Sequence, residues 1–202
     1  MDLITRSVSV LFSLIPAGDA AAFDELFLNY YPRLIAFARQ YAKQQEAAEE
    51  IASDVLMKLW LKRAALNQVN KPEVYLYVSV KNAALNYLRS VKNQPSLVLD
   101  EPEVIEPASS THPDQKELQS ILQQAIAALP EQRRLIFKMI KEDGLKCRDV
   151  AEILDLSTRT VESQLYKAVK FLADRLSAYL GYNPQRPAKR KSLLLNVLMY
   201  CW

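Results

Sequence analysis

The stretch Cys147–Lys170, CRDVAEILDLSTRTVESQLYKAVK, constrains this chain more than any other part of it. Its apolar positions fall into two runs at helical spacing with a break between them, which is the pattern of a helix-turn-helix. Ala151 stands where the two helices must approach closely, so a larger side chain there would push them apart. Ile153 and Leu154 close the first helix onto a core, and Leu156 plugs the turn. Asp155 takes the position that such turns often give to Gly, and Asp is among the few other residues that tolerate positive φ. Ser157 is a good N-cap for the second helix, because its hydroxyl can accept from a free amide of the first turn. Val161, Leu165, Ala168, Val169 and Leu172 then form a buried stripe. The opposite face presents Arg159, Thr160, Glu162, Ser163, Tyr166, Lys167 and Lys170. These residue types reach phosphates and base edges when a helix lies in the major groove. Any amphipathic hairpin has a polar face. Here the spacing from Ala151 through Leu156 to Val161, with basic and hydroxyl groups together outside, points to a helix that reads duplex DNA.

Composition sets the fold class and removes most chemistries. Gly is scarce, at 3 of 202 residues, while Ala, Leu, Glu, Lys and Gln are abundant, so an all-α fold is expected. Cys147 and Cys201 lie far apart without metal-ligand spacing and read as reduced thiols of a cytoplasmic protein. His112, the single histidine, sits among Pro, Ser and Thr, so neither a histidine triad nor a Cys/His zinc site can be assembled. A Gly-rich phosphate loop is missing too. The expectation is a protein that is not an enzyme, with no cofactor, no metal and no small-molecule substrate. Met1–Pro16 is mildly apolar and is read as a packed helix rather than a signal peptide, and no run is apolar enough to span a membrane.

Three helical blocks come first. Asp19–Tyr41 opens on Asp19 as N-cap and carries an apolar face of Phe23, Leu26, Phe27, Tyr30, Leu34, Phe37 and Tyr41. Pro32 interrupts that pattern, which predicts a kink or two abutting helices. Glu46–Arg63 follows, with Ile51, Val55, Leu56, Leu59 and Trp60 inward and Glu49, Glu50, Asp54, Lys58 and Lys62 outward. In Pro72–Val91 the apolar surface comes from Val74, Leu76, Val80, Leu85 and Leu88. Residues 92–115 then hold four prolines and five acidic residues against one Lys, which reads as a flexible acidic linker. Helical pattern resumes at Lys116–Leu129. A helix starting at Pro130 buries Leu135, Ile136, Met139 and Ile140 and ends at Gly144. The architecture is therefore two small helical domains, 1–91 and 116–180, on a tether, followed by a tail, 181–202. Net charge is only +3, so non-specific affinity for DNA is modest and a dimer partner or a larger machine must help hold it.

Tyr75, Tyr77, Lys81, Asn82, Asn86, Tyr87, Arg89 and Lys92 bring aromatic, amide and basic side chains together on and just after the third block. Rings stack on unpaired bases, amides bond base edges and cations track the backbone. Taken alone, that helix is better read as a bundle helix with boundary tyrosines; beside a helix-turn-helix it becomes a second nucleic-acid surface.

At this point the chain resembles the extracytoplasmic-function (ECF) sigma factors of bacterial RNA polymerase. GDAAAFDELFLNYYPRLIAFARQYA (18–42) resembles the opening of sigma region 2, and EEIASDVLMKLW (49–60) the helix that docks on the polymerase clamp. VYLYVSVKNAALNYLR (74–89) resembles the promoter-melting, −10-reading helix. LPEQRRLIFKMIKEDGLKCRDVAEILDLSTRTVESQLYKAVKFLADRL (129–176) resembles region 4, which reads the −35 element. The resemblance implies a factor that catalyses nothing and lends promoter specificity to core RNA polymerase, with promoter DNA and an anti-sigma factor as further partners. It places Glu50, Asp54, Lys58 and Trp60 at the clamp. Tyr75, Tyr77 and Tyr87 fall at an extruded −10 base, with Asn82 and Asn86 near the bases and Lys81, Arg89 and Lys92 on the strand backbone. Arg159, Thr160, Glu162, Ser163, Tyr166, Lys167 and Lys170 would face the −35 duplex. Tyr75 stands where many relatives have Trp and Asn86 where many have Asp; the whole pattern is similar to members from Bacteroidetes-like bacteria.

The tail 181–202 lies outside the resemblance. It joins a basic run (Arg186, Lys189, Arg190, Lys191) to an apolar segment, SLLLNVLMYCW. A packing helix, a helix masking a functional surface and a docking segment are all open there. Two other functions compete with the sigma factor reading: a stand-alone helix-turn-helix regulator, which would bind duplex DNA tightly without polymerase, and a pure interaction protein.

Overall fold

The computed structural model describes residues 6–92 and 113–179, with side chains for 6–91 and 120–176. Most of the expected linker, and the whole of the tail 181–202, lie outside the described residues. Every regular element among the described residues is helical, and the chain divides into two compact units, Met1–Val104 and Ile105–Trp202.

The first unit begins with α1 (Val8–Leu14), capped by the Ser7 hydroxyl, which accepts from the Val10 N–H. A 3-10 turn, Ile15–Ala17, follows, and Gly18 ends it with φ 87°. Leu11, Phe12 and Ile15 are buried, so the mildly apolar N-terminal stretch is core-forming. In α2 (Ala20–Ala42) the Asp19 carboxylate accepts from the Ala22 N–H at 3.0 Å, the N-cap its sequence position predicts. Of the kink or two abutting helices expected at Pro32, the second does not occur: α2 runs through Pro32 as one helix. Pro32 lies on the solvent side, and Leu28, whose carbonyl the ring deprives of a donor, is itself 75% exposed, so water can take that carbonyl.

The helix α3 (Gln45–Leu61) leads through a 3-10 segment, Arg63–Gln68, into α4 (Pro72–Lys92). Both pack on α2 and on each other. Leu26, Leu34, Phe37, Val55, Leu56, Leu76, Val80 and Ala84 make the shared core. Helix α4 contacts α1, α2 and α3, which together bury one side of it.

The second unit starts with α5 (Pro113–Ala127), three residues earlier than expected, because Pro is tolerated at a first helical position. The helix α6 (Glu131–Lys141) follows Pro130 and buries Ile136, Phe137 and Met139. The chain then turns through Gly144 (φ 74°) into α7 (Cys147–Leu154). Asp155 takes φ 55° and ψ 44°, the left-handed conformation expected of it, and the Leu156 N–H donates to the Ala151 carbonyl at 2.9 Å. The long α8 (Thr158–Tyr179) packs on α5, α6 and α7 through Val161, Ala168, Leu172 and Leu176. Leu165 and Val169, also expected in that stripe, are half-buried.

Candidate nucleic-acid interface

A groove of about 490 Å³ runs between α3 and α4. Its floor is apolar, from Ile51, Val55 and Leu59. The α3 wall carries Glu50 and Asp54, then Lys58 and Lys62 nearer the helix C-terminus; the α4 wall carries Tyr75, Ser79, Asn82, Ala83, Asn86 and Tyr87. Two sets of residues assigned to different partners from sequence thus line one cleft. The Lys58 ammonium lies 3.2 Å from the Asp54 carboxylate with both side chains more than 60% exposed, so their attraction is worth only about 0.3–0.5 kcal/mol and is readily exchanged for a ligand contact.

Local chemistry orients the α4 wall. The Arg89 Nη1 donates to the Asn86 side-chain carbonyl at 3.1 Å. A guanidinium has no acceptor, so the carbonyl must face Arg89, and the Asn86 NH₂ is left to donate elsewhere. Tyr75, 39% exposed, is backed edge-on by the Phe12 ring at 6.3 Å between centroids. One face of a hydrogen-bonding and stacking surface is therefore held from behind by the core.

Two sequence assignments conflict with burial, and a third residue lies away from the groove. Tyr77 is 1% exposed and packs edge-on against Phe37 at 5.1 Å between centroids, so it cannot stack on a base. Lys81 is also buried, at 8% exposure. Both sit on the line Val74, Tyr77, Lys81, Ala84, whose 3–4 residue spacing marks a buried face, and that periodicity outweighs residue type here. Trp60 is turned toward α2, 4.9 Å from the Phe23 ring centroid, with the Arg63 guanidinium 4.8 Å over its own ring. It shares no cleft with Glu50, Asp54 and Lys58. Lys92 is placed in α4, and its side chain lies outside the described ones. Residues the sequence reading passed over are Lys62, Ser79 and Ala83 in the groove, and Met57 and Leu61, which are 61% and 70% exposed on α3. Apolar side chains one turn from Asp54 and Lys58, on an otherwise charged face, were the available signal.

In the second unit every assigned residue of α8 is exposed: Arg159, Thr160, Glu162, Ser163, Tyr166, Lys167 and Lys170. Tyr166 holds its ring 70% in water. The Ser157 hydroxyl accepts from the Thr160 N–H at 3.0 Å and lies 2.7 Å from the Thr160 hydroxyl, so Thr160 helps close the N-cap as well as facing outward. A helix with a fixed start and one solvated polar face is what a major-groove reader needs.

Known proteins carry the same two units. Residues 26–94 match the family model for sigma-70 region 2, and residues 119–172 match that for sigma-70 region 4. The ECF RNA polymerase sigma factor SigM of Mycobacterium tuberculosis is 30% identical over 183 residues, covering 90% of this chain and 91% of that protein. The chain belongs to the extracytoplasmic-function RNA polymerase sigma factors. The ECF sigma factor RpoE of Cereibacter sphaeroides is 29% identical over 181 residues, 86% of this chain and 96% of the relative. Among solved structures, the sigma factor RpoE of Bartonella quintana, in complex with the anti-sigma factor NepR, shares the fold with a TM-score of 0.54 at 24% identity, covering 77% of this chain and 96% of that one.

The family expected from the four sequence runs is borne out, and with it the all-α fold of two helical domains. Such a sigma factor directs RNA polymerase to promoters as an initiation factor; the stand-alone regulator is not favoured. Region 2 takes in the whole of α3 and α4, both groove walls; region 4 takes in the helix-turn-helix. No helix among the described residues is long and apolar enough to cross a membrane.

Proposed function

We propose that this sigma factor engages its promoter through two surfaces, one in each unit, and core RNA polymerase through the α3 face that borders the first. The groove between α3 and α4 receives an unpaired base of the −10 element, with Tyr75 and Tyr87 offering ring faces and Asn82 and Asn86 offering amides. Arg89 and Lys92 lie along α4 to hold the strand backbone, and Tyr77 and Lys81 drop out of the set on burial. Extruding a base costs stacking energy, which a cleft with an apolar floor and directed hydrogen bonds can offset. The exposed face of α8 reads the −35 duplex, with Arg159 foremost, since Arg paired to guanine is the commonest specific contact. Glu50, Asp54 and Lys58, now joined by exposed Met57 and Leu61, form the surface offered to the polymerase clamp.

The observation that carries this reading is the groove itself, where aromatic and amide groups converge over an apolar floor. A modest net charge of +3 agrees with a factor delivered to DNA by a polymerase that already grips it. The factor acts in the cytoplasm without catalysis, and an anti-sigma factor is its expected regulator. The sequence pattern as a whole supports reading it as a member of a Bacteroidetes-like subgroup, with Tyr75 and Asn86 as variations. The test is transcription by purified core RNA polymerase, with and without this chain, on a library of genomic promoter fragments. Discrete new start sites sharing −35 and −10 preferences are expected; silence with polymerase, together with tight duplex binding by the chain alone, would overturn the reading.

A further inference from the structure

A helix that reads base edges must be fixed in rotation about its own axis as well as in position. Turning an α-helix by about 20° sweeps side-chain tips at a radius of ~5–6 Å through about 2 Å, enough to break a hydrogen bond to a base. The buried stripe of α8 defines that rotation only loosely. Val161, Ala168 and Leu172 are short or aliphatic and fully buried, and apolar contact has no direction. One residue on the same line is polar. Gln164 lies three residues after Val161 and four before Ala168, and it is half-buried. Its side-chain carbonyl accepts from the Arg133 Nε of α6 at 3.1 Å, across 31 residues of sequence.

We propose that Arg133 and Gln164 lock the rotational setting of α8, and so act as positioning residues for −35 base discrimination. The proposal rests on reading α8 as the −35 helix. A single directional pair within an apolar seam specifies register where packing alone permits several, as a polar residue at a core position of a coiled coil does. Arg suits the task because its planar guanidinium presents Nε in a fixed direction. The anchor itself is held: the neighbouring Arg134 donates through Nη1 to the Ala127 carbonyl at 2.7 Å, which ties the start of α6 to the end of α5. From this anchored turn the lock reaches α8 within about a turn and a half of Arg159, Thr160 and Ser163 on one side and Tyr166 and Lys167 on the other.

The test uses the full chain with core RNA polymerase on a promoter library randomised at the −35 element. Gln164→Leu keeps the volume and removes the directional contact. Its expected result is about a fivefold fall in the preference for the best over the worst −35 base, with the thermal midpoint not lowered and the −10 preference unchanged. Arg133→Met is expected to reproduce that fall, and the double variant to be no worse than either single, since both remove one interaction. If Arg133→Met instead weakens all sequences equally and flattens the salt dependence, Arg133 is only a phosphate contact and the lock is wrong. Undiminished −35 preference in Gln164→Leu overturns the proposal alone. Absence of any −35 preference in the unaltered protein overturns the underlying reading of α8, and the proposal falls with it.

Discussion

Helices α4 and α8 carry the two nucleic-acid surfaces proposed above, and they differ in how much of their circumference the fold consumes. Helix α8 meets its neighbours along the stripe through Val161, Ala168 and Leu172, and its early turns leave a broad polar arc in water. Helix α4 meets α1, α2 and α3, and its buried side is wider, taking in Val74, Leu76, Tyr77, Val80, Lys81 and Ala84. On α8, a polar residue outside the stripe is an exposed residue. On α4, an aromatic or basic residue can belong to either side. Residue type therefore reports function well on α8, whose packed stripe is narrow and almost wholly apolar, and poorly on α4, whose wider packed side also takes in Tyr77 and Lys81.

Tyr77 gives the strongest way to break that comparison. Tyr77→Ala should cost about 3–5 kcal/mol of stability, read by denaturant unfolding of the full chain, because it empties a fully buried ring site beside Phe37. A variant that stays folded and loses only −10 preference would restore Tyr77 to the DNA surface and undo the contrast. Arg159 is the counterpart on α8. Arg159→Ala should remove about 1–3 kcal/mol of discrimination at one −35 base pair, measured by competition between promoter variants, and leave the unfolding midpoint where it was.

The turn between α7 and α8 sharpens the comparison further. Asp155 holds φ 55°, so Asp155→Val should destabilise the second unit by about 1–2 kcal/mol, whereas Asp155→Gly should be tolerated or mildly stabilising in thermal melts. Equal effects of the two would mean the left-handed turn is not retained in solution. The smallest effect is expected with pH. Arg6 donates its Nε and its backbone N–H to the Glu25 carboxylate, each at 2.7 Å, and holds that carboxyl below its usual range. A lowered folded value means stabilisation that is present above the ordinary carboxylate pKa and is lost as pH falls through the folded one. Titration of the Glu25 carboxyl carbon by NMR should therefore show a midpoint below those of exposed glutamates, and Arg6→Ala should raise it toward theirs, short of a full return because the backbone N–H at position 6 still donates.

How much was legible in the sequence follows from the same contrast. The caps at Asp19 and Ser157, the left-handed Asp155 and the exposed face of α8 are local matters, set by residues within one turn, and all appear as read. The two abutting helices offered at Pro32 did not form, because a rule about helix interiors says nothing about which side of the helix meets water. Tyr77 and Lys81 misled because chemistry was weighed before spacing: Val74, Tyr77, Lys81 and Ala84 already formed a buried line in the sequence. Trp60 needed a fact that no periodicity supplies, the presence of Phe23 on the neighbouring helix. The groove was beyond reach for the same reason, since each wall is an ordinary helix face until the two are brought together.

That shared cleft has a consequence for anyone dissecting this factor genetically. Glu50, Asp54 and Lys58 line the same groove as Tyr75, Asn82 and Asn86, so a partner seated on one wall changes the space left to a guest of the other. Linkage makes any such influence mutual: whatever one occupant gains or loses from the presence of the second, the second gains or loses from the first. A lesion on α3 can thus masquerade as a strand-capture defect, and a lesion on α4 as a failure to assemble. Only a titration of each partner in the presence and absence of the other assigns the phenotype to its cause.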